Sequence, residues 1–231
     1  MAQSSSPDPR CAACPIRNRE ERRCMNEAGK NPPDCPTVTM AGLAEKTAAR
    51  YLADDILPMA RTATQVERAG YTLQENGPPM PNRPRIVEIV DFCRRMNHTK
   101  LGLIFCTGLR HEAAVVNAIL ETNGFTVASV ICKVGNIPKS RLGLDRADQL
   151  NPCKEEAMCN PLLQAEAMNE AGVDFNILLG LCVGHDTMVL QAIKAPATIL
   201  AVKDRLMGHN PLAAIYTYES YYRFLKTPLG D

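Results

Sequence analysis

Three apolar runs, each closed by a cysteine, limit what this chain can fold into: LGLIFC (101–106), VASVIC (127–132) and NILLGLC (176–182). Each is apolar almost throughout rather than alternating, as in strands buried on both faces. A fourth run, TILAVK (198–203), ends in Lys203 instead. Helical patterns fall between them, at about 110–123, 161–171 and 185–193, and a last one runs from Pro211 to about Phe224. Apolar strands alternating with helices build a parallel sheet. The expected fold is α/β: a Rossmann-like parallel sheet of about four strands with helices on both faces.

The sequence ahead of this block is different in kind. Residues 1–10 are rich in Ser and Pro and read as a disordered lead. CAACPIRNREERRCMNEAGKNPPDCP (11–36) holds Cys11, Cys14, Cys24 and Cys35 but almost no apolar residues. Burial alone cannot fold so polar a segment, whereas four thiolates on one metal ion can. Its spacing begins with Cys-x2-Cys but matches neither the paired-knuckle zinc ribbon nor the tight ferredoxin run. Zinc and an iron–sulfur cluster both stay open for it. Residues 37 to about 70 are helical in pattern, with Pro58 expected to kink or divide the helix. NGPPMPNRP (76–84) reads as a loop, and RIVEIVDFCRRMN as a helix. The domain reading is a cysteine-rich metal module over 1–36, then a helical segment and α/β domain over 37–231.

In open α/β sheets, ligands bind outside the carboxyl ends of the strands. Cys106, Cys132 and Cys182 close three predicted strands, so a parallel sheet lines them along one edge. Cys159, in MCNP, is the fourth candidate for that cleft. The residues that follow suit a site: TGLRHE after Cys106, KVGNIPKS after Cys132, VGHD after Cys182. From these, His185, Asp186, Arg110 and Lys203 are candidates for proton transfer or anion binding. Three or four thiols can ligate an iron–sulfur cluster or zinc, or one can be a nucleophile activated by histidine. The competing reading of any single one is a small buried hydrophobe. Cys93 fits that reading, on the apolar face of its helix, and Cys153 reads as a spare thiol.

A net charge of +1 offers no global field for nucleic acid. RNREERR (17–23) has no aromatic platform beside it. No stretch reaches the roughly 20 apolar residues of a membrane span, and MAQSSSPDPR lacks the layout of a secretory signal. A cytoplasmic location and reduced thiols follow as expectations. Tyrosines in YTYESYY (216–222) read as packing or a homo-oligomer contact.

FCTGLRHEA, CKVGNIPKS, EAMCNPLLQAE, GLCVGHD and AVKDRLMGHNPLAAIY resemble the prokaryotic family called domain of unknown function 1847. The resemblance covers nearly the whole chain and implies metal binding, but no reaction. The gap between Cys14 and Cys24 is longer than the family leads one to expect. Two functions stay open. One is a metalloprotein with a second, cysteine-lined cleft, acting on a small molecule as an iron–sulfur or thiol-dependent lyase or desulfidase. The other is a non-catalytic metal or redox sensor.

Overall fold

The computed structural model describes residues 8–229; most of the Ser/Pro-rich lead lies outside them. The chain divides into two compact units, Met1–Gln65 and Val66–Asp231.

In the first unit the cysteine segment has little regular structure, with short 3-10 turns at Cys11–Ala13 and Arg19–Glu21. A backbone bridge between Arg22 and Lys30 closes a loop that carries Cys24. Helices α1 (Pro36–Thr39) and α2 (Ala41–Arg50) follow. Helix α3 (Leu57–Ala69) runs across the division into the second unit. The helical pattern is thus divided, as expected, although the first helix already ends at Arg50. Pro58 does not kink it but sits second in α3, where a proline's missing N–H costs no hydrogen bond.

A second departure follows α3. An exposed antiparallel hairpin pairs β1 (Tyr71–Gln74) with β2 (Gly77–Pro81), the latter within the stretch 76–84 read as a loop. Its prolines masked it in sequence, because proline in a strand is tolerated at an unpaired edge. Helix α4 (Arg85–Arg95) then buries Ile89, Val90 and Cys93.

The rest is the anticipated alternation. It comprises β3 (Lys100–Phe105), α5 (Arg110–Thr122), β4 (Thr126–Ile131), α6 (Pro161–Ala171), β5 (Phe175–Leu181), α7 (His185–Ala192) and β6 (Ala197–Val202). All four strands are parallel, in the order β4-β3-β5-β6. Strand β5 is buried at all seven positions, so both its faces are covered. Leu101, Leu103, Ile104, Ile177 and Leu178 form the centre of the core, each at most 1% exposed. Local signals set α6: Pro161 opens it, the Asn160 side chain accepts from Leu163 N–H, and Gly172 closes it at φ +60°. The last helix is much shorter than its pattern suggests. Helix α8 covers only Leu212–Tyr216, and a short 3-10 turn follows at Arg223–Lys226.

Candidate functional site: a thiol cluster at the sheet's switch point

The chain leaves β3 toward β4 on one side, then returns to β5 and continues to β6 on the other. Connections leaving the central strands in opposite directions open a crevice at their carboxyl ends. Cys106 and Cys182 are the first residues beyond β3 and β5, and Cys132 is the first beyond β4. Each thus lies one residue past its strand rather than within it.

Parallel pairing aligns Phe105 with Ile131 and continues one residue further, where Cys132 N–H donates to Phe105 C=O at 2.9 Å. The side chains that follow are adjacent, with Cys106 Sγ and Cys132 Sγ 4.0 Å apart. Cys159 arrives from the long connection between β4 and α6. That segment is pinned by a bridge between Pro138 and Ala157, and by Asn160 N–H donating to Cys132 C=O at 2.8 Å. Cys159 is thereby brought near Cys132. The fourth cysteine, Cys182, accepts from Arg205 Nη2 at 3.2 Å. A bulge in β5 directs it: Gly180 has φ +66° and packs beneath Leu109.

Charge divides the trio. A hydrogen bond from Cys132 brings Cys106 down to about 5, helped by Gly108 N–H and the Lys203 ammonium and opposed by burial. The neighbouring Cys132 thiol brings Cys159 down to about 6, opposed by burial and assisted by Lys133 and His185. Cys132 is driven the other way and keeps its proton, since Cys106 and Cys159 neighbour it and it is buried; Thr107 N–H, 3.3 Å from its sulfur, opposes this only weakly. Cys106 and Cys159 are thus favoured as thiolates over Cys132. Cys93 is unlike these: fully buried, it is pushed up to about 12 by desolvation.

The cysteines open on a cavity of about 800 Å³ lined by Cys106, Cys159, Cys182, His185 and Lys203. Of the proton-transfer and anion-binding candidates, His185 and Lys203 are therefore brought to the cleft. Arg110 and Asp186 are not among its lining residues; Asp186 instead accepts from the N–H of Thr187. Lys133 and Arg205, which closely follow the ends of β4 and β6, line it as well. Cys153 is exposed and outside it.

In the first unit, Cys11, Cys14, Cys24 and Cys35 line one small cavity of about 60 Å³. Among the described residues, no group of three or more His, Cys, Asp or Glu side chains stands in ready-made metal geometry. The donor chemistry at both places nevertheless fits a thiophilic centre. Two thiolates on one tetrahedral zinc stand about 3.8 Å apart, close to the 4.0 Å between Cys106 and Cys132.

A model of the family described as protein of unknown function (DUF1847) matches residues 35–200. The chain belongs to the DUF1847 family. The DUF1847 match takes in all four cleft cysteines but, of the N-terminal four, only Cys35. An uncharacterized protein of Methanocaldococcus jannaschii is 38% identical over 180 residues, which cover 78% of this chain and 86% of that relative. No solved structure matches. No helix among the described residues is long and apolar enough to cross a membrane.

Proposed function

We propose that this DUF1847 protein binds metal through thiolates, and that a small molecule meets the bound centre in the cavity at the sheet's switch point. The observation that carries this is the 4.0 Å contact of Cys106 and Cys132, with Cys159 near them, beside a large cavity that Cys106, Cys159 and Cys182 line. These three and Cys182 would hold zinc or an iron–sulfur centre. Bound there, such a centre would supply a Lewis acid with a position left for substrate, as lyase or desulfidase chemistry needs. Lys203 and Arg205 keep positive charge beside Cys106 and Cys182. His185 stands where it can exchange a proton with a bound molecule. Cys11, Cys14, Cys24 and Cys35 would hold a second, structural ion, which a segment so poor in apolar residues needs to stay folded.

Anaerobic purification followed by iron, zinc and acid-labile sulfide analysis tests this, with Cys132→Ser and Cys14→Ser in parallel. Two separable metal contents are expected, one lost in each variant. Metal content that Cys132→Ser leaves unchanged would overturn the cleft centre. A non-catalytic redox sensor is the second reading, favoured by the 4.0 Å separation of Cys106 and Cys132 sulfurs. It predicts metal release on oxidation and no turnover.

A further inference from the structure

The cavity is far larger than a metal centre requires, and its walls are of two kinds. Leu142, Leu144, Leu150 and Met158, all from the connection between β4 and α6, form an apolar wall. Three of these side chains are large and solvent-exposed, Leu150 at 90% and Leu142 at 61%. The same cavity is also lined by Lys133, Lys203 and Arg205. The rim carboxylates are already engaged: Glu156 pairs with Lys139, and Glu155 with Arg146 at 3.4 Å. Asp148 accepts from the N–H of Asp145. Among the described residues, none of the three cations pairs with a carboxylate. Lys133 donates to Ala157 C=O at 2.6 Å. The Lys203 ammonium lies so close to Gly108 that a Cβ there would come within 3.1 Å of it. Glycine at 108 thus lets this cation approach Cys106.

A site with an apolar wall and a few convergent polar groups selects a ligand of matching polarity. We infer that the cavity receives a small amphiphilic organic acid. Its carboxylate would meet Lys203, Lys133 and Arg205, and its hydrocarbon body would lie along Leu142, Leu144 and Leu150. This rests on the proposed function for the cavity being the reactive site, and it adds the class of molecule that enters.

Calorimetric titration of the full-length protein with hexanoate, acetate and hexanol at matched ionic strength tests it. Hexanoate is expected to saturate one site and to bind at least about tenfold more tightly than either control. Lys203→Gln should weaken hexanoate about tenfold and leave hexanol unchanged. Leu142→Ser with Leu150→Ser, both at exposed positions, should bring hexanoate down toward acetate. Equal binding of all three probes, or no binding, would overturn the inference, as would variants that bind hexanoate like the parent. Metal analysis of the same samples keeps the two ideas apart. Hexanoate binding without cleft metal removes the metal reading and keeps the acid site, and the converse removes the acid site alone.

Discussion

Cys106 and Cys93 are the same residue type in one core, yet their surroundings drive them to opposite protonation states. In metal-free protein Cys106 is a thiolate down to about pH 5. Iodoacetamide should therefore label it at pH 6 to 7, where an ordinary thiol near 8.5 is largely unreactive. Labelling should fade as pH falls through about 5; mass spectrometry of quenched time points reads it. Replacing Lys203 by Gln should move the fade upward, because the nearby positive charge is one of the causes of the low value. Cys93 should resist labelling in the folded state. Its pKa is raised to about 12, so its contribution to stability is complete below the ordinary thiol value and is lost as pH rises toward 12. Denaturation midpoints measured from pH 8 upward should fall in the parent and fall less in Cys93→Ala, which starts from a lower stability. The lower start reflects the cavity left at a fully buried position.

Elements converge on the cluster through a few contacts that single changes can remove. Gly180 combines φ +66° with a Cβ position 2.1 Å from Leu109 Cδ1, and Leu109 is itself 4% exposed. Gly180→Ala should cost about 2–4 kcal/mol in chemical denaturation, from strain plus overpacking. It should also displace Cys182. Gln164 of α6, wholly buried, donates to Phe105 C=O and Val130 C=O, each at 3.1 Å, and ties the ends of β3 and β4 together beneath Cys106 and Cys132. Gln164→Leu should cost about 1–3 kcal/mol and slow Cys106 labelling. At the opposite end of the sheet, Asp174 accepts from the N–H groups of Thr99 and Lys100 at 2.7 and 2.8 Å. These amides hold its carboxyl below the usual range. Its contribution is present at neutral pH and lost as pH falls through that lowered value, so Asp174→Asn should be less stable at pH 7 and converge with the parent in acid. Element boundaries were legible where the chain announces them, as in Asn160-Pro161 and Gly172 around α6. The hairpin at 71–81 was not, because its prolines carry a loop signature. Nor was the brevity of α8, whose apolar residues are largely exposed: Ile215 at 59% and Leu212 at 53%.

For the whole molecule, the sheet and its core lie within the second unit, so a fragment from Leu57 onward should fold. It should show mixed α/β circular dichroism and a cooperative melt; an unfolded fragment would place essential stability in the first 56 residues. The fold class was readable because hydrophobic pattern is a local property: β5 is buried on both faces and its sequence is apolar on both. The same pattern put three cysteines at one sheet edge. Strand order it left open, since order depends on how helices pack across the sheet. That order, β4-β3-β5-β6, sets β3 between β4 and β5. It brings Cys106 against Cys132, while Cys182 lies across the switch point with Arg205. Which thiols become thiolates was equally invisible in sequence. It follows from the burial and hydrogen bonding of Cys132 and from Lys133, Lys203 and His185, brought in by β4, β6 and α7. Sequence by itself determined the four parallel strands, the helices between them and the edge where the cysteines gather. Only the tertiary structure decided which of them touch, what charge they carry and how large a cavity they face, because those depend on contacts between residues far apart in the chain.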